Sequence, residues 1–401
     1  SGVNFIKFSI DGGTLQDYSI PFPVTGTDGV HTITFFSVDN ASNQEAEKTI
    51  TVNLDNTAPT TTDDYTKDNV WVNADQTITL TPNDDGSNLA WTRFCLTLGC
   101  NPEGGTNYLG PVTISTEGII HFRYASADNV GNVESTHEKI VKIDKTNPVT
   151  TDDASTGWTN QNVTVTLTCN DGTLSECNQT FFSTDGSEPT NLYLDPFTLT
   201  ATGQHQLKYF SRDNAGNQEN VVTGTLVRID KEAPTITDDY DHDGVWVNST
   251  QTITLDPQDT GGSGIASVLT CESSGCTPSN SLNSPHQLFF LASQNIIIRY
   301  QAFDIAGNPS AIGEFNVKID LEAPSVNITS DSSTDKMDFF IVKADVSDAG
   351  GSELKSVVLT LRNATTHTFI DNKPMVQISG TDKFEFLVRM WELEAGTYTF
   401  E

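Results

Sequence analysis

The chain is poor in basic residues: 21 Lys and Arg stand against 53 Asp and Glu, a formal net charge of −32 over 401 residues. A protein that binds by neutralising phosphates needs a basic surface, so this imbalance excludes nucleic-acid recognition of that kind. It also disfavours docking on an anionic membrane leaflet. Long apolar runs are missing. No stretch approaches the ~20 apolar residues of a spanning helix, so no segment is expected to cross a bilayer. Methionine falls to 3 residues, and Leu, Ala and Lys are scarce for a helical protein. Thr, Asn, Ser, Asp and Gly abound instead, and apolar residues alternate with polar ones over short runs. This is all-β composition, patterned too regularly for disorder. No signal peptide precedes Ser1, which is read as a cleaved leader or as a window on a longer chain.

At roughly 150 residues per domain the length alone suggests two or three domains. Internal repetition changes that number. The segment Leu54-Asp55-Asn56-Thr57-Ala58-Pro59 returns as Ile143-Asp144-Lys145-Thr146-Asn147-Pro148, as Ile229-Asp230-Lys231-Glu232-Ala233-Pro234 and as Ile319-Asp320-Leu321-Glu322-Ala323-Pro324, with prolines 89, 86 and 90 residues apart. A second motif keeps the register: Asp39-Asn40-Ala41-Ser42-Asn43, Asp128-Asn129-Val130-Gly131-Asn132, Asp213-Asn214-Ala215-Gly216-Asn217 and Asp304-Ile305-Ala306-Gly307-Asn308. The expected units are 1–56, 57–146, 147–232, 233–322 and 323–401. By comparison of the ends with complete units, the first lacks its opening strands and the last its closing hairpin.

Within a unit the periodicity is that of strands. Val163, Val165 and Leu167 alternate with Thr164, Thr166 and Thr168, so one face is expected to be buried and the other wet. Candidate strands at 180–184 and 197–201 are separated by the turn-rich Asp185-Gly186-Ser187-Glu188-Pro189. Strands at 204–212 and 221–230 flank the Asp213–Asn217 turn as a hairpin. About seven short strands in under ninety residues, with turns every 8 to 12, predict an antiparallel immunoglobulin-like sandwich.

The pattern Trp158, then Val163-Thr164-Val165-Thr166-Leu167, then Ser183-Thr184-Asp185-Gly186-Ser187-Glu188-Pro189-Thr190, then Tyr209-Phe210-Ser211-Arg212-Asp213-Asn214-Ala215-Gly216-Asn217 resembles the Ig-like repeats of bacterial and archaeal surface proteins. The stretch Ser183–Thr190 is also similar to the C-terminal Ig-like module of chitobiases and hexosaminidases. The resemblance extends along the whole chain at the level of the repeat and identifies a module type. It implies tandem Ig-like domains in an extended rod, of the kind found in giant adhesins, S-layer proteins, filaments and multidomain glycosidases. In adhesins whose linkers the Asp-x-x-Ala-Pro segments resemble, calcium sits between successive domains, which implies structural calcium here.

Fold geometry argues separately for where the acids meet. In an Ig-like sandwich the turn between the last two strands and the loop after the second strand lie at the pole where the chain enters. Asp144 in the linker should therefore meet Asp213 in the turn and Asp171 in the loop. By the same reasoning Asp55 should meet Asp128 and either Asp84 or Asp85, and Asp230 should meet Asp304 and either Asp256 or Asp259. Asp320 should be joined by Asp345 or Asp348, its turn partner being expected beyond residue 401. Such carboxylates repel by about 1 kcal/mol per close pair even in water. Calcium relieves that repulsion with roughly 6 to 8 oxygen ligands in loose geometry, whereas zinc would find no His or Cys there. The competing explanation is that Asp and Asn only shape turns. The pairs Asp63-Asp64, Asp152-Asp153 and Asp238-Asp239 are expected to be solvated, with a secondary role at the same sites.

Cys95 with Cys100, Cys169 with Cys177, and Cys271 with Cys276 are expected to form three local disulfides in an oxidising compartment. Trp71, Trp158 and Trp246 follow their prolines by 12, 10 and 12 residues and are expected in the core, sugar stacking being the alternative. Sequons at Asn40, Asn162, Asn178, Asn248, Asn327 and Asn363 are candidate glycosylation sites. His31, His121, His137, His205, His242, His286 and His367 form no nucleophile or metal constellation, and shallow sandwich loops offer no deep cleft. The expected protein is therefore not an enzyme. It is an extracellular structural or adhesive repeat region whose partners are other copies of itself or other cell-surface components. The alternative is a set of carbohydrate-binding modules, with glycans as partners, from a secreted glycan-active enzyme.

Overall fold

A computed structural model describes residues 2–329, 339–363, 368–379, 381–389 and 398–400. Its regular structure is strand throughout, apart from one 3-10 turn at Pro102–Gly104 among the described residues. Among the described residues, no helix is long and apolar enough to cross a membrane. By contacts the chain divides into two compact units, one of Ser1–Asp153, Val165–Pro196 and Gln206–Thr225, the other of Ala154–Thr164, Phe197–His205 and Leu226–Glu401.

In the first unit, the second repeat shows how alternation becomes a sandwich. Strand Gly118–Asp128 pairs antiparallel with Leu89–Cys95 on one side and His137–Ile143 on the other, and Trp71–Val72 joins the latter in parallel. Thr106–Asn107 completes a five-stranded sheet. Facing it are Thr60–Asp63 paired with Leu80–Asn83, and Gln76–Ile78 paired with Val112–Ile114. Phe122, Tyr124, Val141, Ile143, Ile78 and Leu80 interdigitate between the layers, all at 3% exposure or less. Each such side chain contributes on the order of 1.5–3 kcal/mol. The same unit holds the first repeat's four-stranded sheet, in the order Gln16–Asp17, Val3–Ile10, Gly29–Asp39, Lys48–Leu54. It also holds the third repeat's pairings of Val149–Asp152 with Leu167–Asn170 and of Cys177–Ser183 with the strand ending at Asp213.

In the second unit the fourth repeat repeats the plan. Ile265–Glu272, Gln294–Asp304 and Gly313–Ile319 form the body of a five-stranded sheet over a core of Ile253, Leu255, Val268, Ile298, Val317 and Ile319. Opposite lies Gln251–Gln258 between Thr235–Asp238 and Gln287–Phe290. Trp158–Thr159 pairs in parallel with Arg228 and Ile229. The fifth repeat has a four-stranded sheet containing Ser325–Ile328 and Phe339–Ser347, and a three-stranded one built on Val358–Asn363. The end of the chain, where the closing hairpin was expected to be missing, lies mostly outside the described residues. Its part at Tyr398–Phe400 pairs with Val358–Asn363, as the penultimate strand of the third repeat pairs with Cys177–Ser183.

The fold is an all-β series of Ig-like sandwiches, and two sequence expectations need correction. The paired acids are not merely solvated. Asp63, Asp152 and Asp238 accept hydrogen bonds from the hydroxyls of Tyr124, Tyr209 and Tyr300 at 2.6, 2.9 and 2.5 Å. Their neighbours Asp64, Asp153 and Asp239 each accept a backbone N–H, from Thr79, Thr166 and Thr254, at 2.7 Å. Burial, with help from the facing carboxylate, pushes the three phenols well above the usual range. The tryptophans are not core residues either. Trp71, Trp158 and Trp246 are half-buried on the short parallel edge strands. A Cβ placed on Gly262 would lie 3.9 Å from Trp158, and one on Gly351 would lie 3.5 Å from Trp246. These two rings therefore face the glycine loop of the following repeat, where neither core packing nor open sugar stacking places them.

Candidate metal centres at the linker aspartates

Each linker aspartate directly follows the last strand of its repeat. The N–H groups of Asp144, Asp230 and Asp320 donate to the carbonyls of Val72, Thr159 and Val247, each one residue past a tryptophan. Their side chains then work in two directions. The Oδ1 atoms of Asp55, Asp144, Asp230 and Asp320 accept the N–H two residues on, from Thr57, Thr146, Glu232 and Glu322. The Oδ2 atoms accept from the loop of the next repeat: Ser87 at 2.6 Å, Ser175 at 2.9 Å, Ser263 at 3.0 Å and Ser352 at 3.2 Å. At the Asp55 and Asp230 junctions the carboxylate fills space that a glycine leaves open. A Cβ on Gly86 would stand 2.3 Å from Asp55 Oδ2, and one on Gly261 would stand 1.9 Å from Asp230 Oδ1.

The turn aspartates Asp128, Asp213 and Asp304 are almost fully buried and wrapped by their own turn. Asp128 Oδ1 accepts from the N–H groups of Val130, Gly131 and Asn132, and its Oδ2 accepts from Asn132 Nδ2 at 2.6 Å. Asp213 and Asp304 are held in the same way by Asn217 and Asn308. The amides of Asn132, Asn217 and Asn308 also reach the linker, donating to the carbonyls of Asp55, Asp144 and Asp230 at 3.1, 2.8 and 2.9 Å. Burial works against the charge on Asp128, but the Asn132 side chain and the turn N–H groups outweigh it and hold the carboxyl below its usual range.

Linker, loop and turn thus bring three carboxylates together in each of three places: Asp55, Asp84 and Asp128; Asp144, Asp171 and Asp213; and Asp230, Asp259 and Asp304. In each group one oxygen per residue lies within 4.8 Å of the others. Asp85 and Asp256 fall outside these groups. Both are exposed, Asp85 being one residue past the loop acid that turns inward and Asp256 pairing with the Gln258 side chain. Asp345 is also outside, on a strand and ion-paired with Lys383 at 2.9 Å. At the fourth linker, Ser352 joins Asp320 to Asp348 through its N–H and hydroxyl.

The three groups differ in what their acids still lack. Asp171 is 8% exposed, and its Oδ1 is buried without a hydrogen-bond partner, as is Asp84 Oδ2. Burial first, and then the charges of Asp144 and Asp213, push the Asp171 carboxyl above its usual range. Asp259 has no such deficit, since its two oxygens accept the N–H groups of Gly261 and Gly264 at 3.1 and 2.6 Å. A buried carboxylate oxygen without a donor, beside two other carboxylates, suits a hard cation with oxygen ligands. The groups at Asp84 and Asp171 fit one, and that at Asp259 is already satisfied by backbone donors.

Sequence reasoning missed one further acid. Glu219 bridges the first strand to the penultimate one: its Oε2 accepts the N–H of Thr150 at 3.0 Å and its Oε1 the N–H of Ser211 at 2.7 Å. Glu134 does the same with Thr61 and Ser126 at 2.9 and 2.6 Å. The signal was present as a glutamate two residues after the turn asparagine, at Glu45, Glu134 and Glu219, with Ser310 in the fourth repeat. All three disulfides form, and no free cysteine remains. The sequon asparagines Asn40, Asn162, Asn178, Asn248 and Asn327 are exposed, while the side chain of Asn363 lies outside the described ones.

Among solved structures, the chain is similar to the fibronectin(III)-like modules of Clostridium thermocellum CbhA, at 14% identity over 42% of this chain and 95% of that one, with a TM-score of 0.24. It is also similar to Sidekick-1 immunoglobulin domains 1–5, at 10% identity over 95% and 85%, with a TM-score of 0.29. A third likeness is to the sialic acid binding region of a Streptococcus sanguinis SK1 adhesin, at 12% identity over 66% and 78%, with a TM-score of 0.17. No curated protein matches the chain. A family model does: the chain is a tandem series of Ig-like β-sandwich modules in which residues 154–223 match the chitobiase/beta-hexosaminidase C-terminal domain.

Proposed function

We propose that this chain is a non-catalytic, extracellular structural or adhesive segment of a large cell-surface protein, such as an adhesin stalk, S-layer or filament subunit, in which calcium at the repeat junctions limits bending. The observation that carries the reading is the buried, partnerless Oδ1 of Asp171 beside Asp144 and Asp213. Asp144 belongs to the linker and the other two to the repeat that follows, so a cation held there ties the linker to the next sandwich. Oxygen-only ligands favour calcium over zinc, and tolerance of irregular geometry favours it over magnesium. Three disulfides support an oxidising, extracellular setting, where calcium is abundant enough for modest sites.

Thermal unfolding with chelator and with added calcium tests this. A site filled to about 100 times its Kd stabilises the folded state by about 2.7 kcal/mol, so chelation is expected to lower the melting temperature and calcium to restore it. Asp171→Asn should remove much of that response, while Asp259→Asn should remove little. Identical melts with and without calcium would overturn the reading.

A further inference from the structure

The loop that carries Asp171 is closed at its mouth by the disulfide Cys169–Cys177. Cys169 stands on the second strand opposite Thr150, two residues before the loop acid. Cys177 opens the next strand directly opposite the turn acid Asp213. In the second and fourth repeats the same two places hold Pro82 with Leu89 and Pro257 with Ile265, where Leu89 faces Asp128 and Ile265 faces Asp304. Those repeats put their disulfides elsewhere, at Cys95–Cys100 and Cys271–Cys276. A covalent link thus replaces an apolar pair only at the group whose three acids are all buried.

Between the two cysteines, Ser175 ties the loop to both linker and turn. Ser175 gives its N–H to Asp144 and its hydroxyl to Asp171, and its carbonyl accepts from Asn214 Nδ2 at 2.8 Å. Like charges packed this closely push the loop outward, and they are opposed by the bonds of Ser175 and by the Glu176 carbonyl, which accepts from the Asn214 N–H at 3.1 Å. Fixing both loop ends keeps Asp171 Oδ1 directed at the other acids, where a longer-lived open loop would let water reach it.

We propose that the Cys169–Cys177 disulfide is a positioning element for divalent-cation binding by Asp144, Asp171 and Asp213, so that the redox state of this one bond sets the calcium affinity of this one junction. The inference rests on the calcium reading above. A dithiol reductant would supply two electrons and two protons, breaking the S–S bond to two thiols and leaving as its own cyclic disulfide.

The test is calcium titration of the full chain by calorimetry, with terbium luminescence as a second probe and far-UV circular dichroism as the check on folding. Asp171→Asn identifies the site by the binding step it removes. The Cys169→Ser/Cys177→Ser pair is expected to weaken that step by about tenfold or more, the scale of lost supporting contacts around a metal. Cys169→Pro/Cys177→Leu, which restores the pair found in the second repeat, should fold and show the same weakening. Cys95→Ser/Cys100→Ser should leave the step unchanged, and in an Asp171→Asn background loss of the Cys169–Cys177 bond should change no remaining step. If the native chain binds calcium and the folded Pro/Leu variant binds it equally well, the positioning role fails while the calcium reading stands. If the native chain binds no calcium, both fail.

Discussion

Gly261 shows how a single residue is dictated by a neighbour from another repeat. The Asp230 carboxylate reaches across to the Ser263 N–H and occupies the space where any Cβ on Gly261 would go, 1.9 Å from Oδ1. Gly261→Ala must therefore displace the linker aspartate, and is expected to destabilise the fourth repeat by about 1–3 kcal/mol, the usual cost of overpacking. Gly157→Ala, with nothing within 4 Å of its added carbon, is the control and should be close to neutral. Denaturant unfolding of the two variants makes the comparison. Position 261 was legible as glycine but not as a glycine with this reason, because the atom that requires it lies 31 residues earlier in the chain.

Strands follow from alternation, and here sequence was a good guide. The run from Val163 to Leu167 and the hairpin around Asp213 appear nearly where the pattern of apolar residues puts them. Which acids meet was also largely legible, since the sandwich topology brings linker, loop and turn to one pole whatever the side chains. The choice between adjacent acids was not, because Asp84 against Asp85 depends on the local twist of a loop that has no periodicity. Nor was the role of the paired acids, whose partners are tyrosines about sixty residues away. Tyr209→Phe tests that role: it leaves Asp152 with the Thr225 N–H at 3.1 Å but without the phenol, and should cost about 1.5–3 kcal/mol, as for a hydrogen bond to a charged group. A loss below that range in chemical denaturation would mean that water replaces the hydroxyl.

At the scale of the whole molecule, the net charge of −32 has two components with different responses to ions. Dispersed surface acids repel over a Debye length of about 8–10 Å and respond to any salt. The clustered acids respond to a cation that fits them. Sodium chloride is therefore expected to raise the melting temperature modestly, and calcium chloride at matched ionic strength to raise it further. Coincident curves would mean that all the acids act as surface charge. The junctions bear on how such a chain can change length over generations. Each linker aspartate belongs to one repeat, and the serine N–H and asparagine amide that receive it belong to the next. Duplication or loss of one whole period by unequal recombination leaves every donor with an acceptor, wherever in the period the crossover falls. A gain or loss of part of a period leaves a linker without its receiving loop. Copy number is thus the dimension along which this chain can vary while every junction keeps its donors and acceptors.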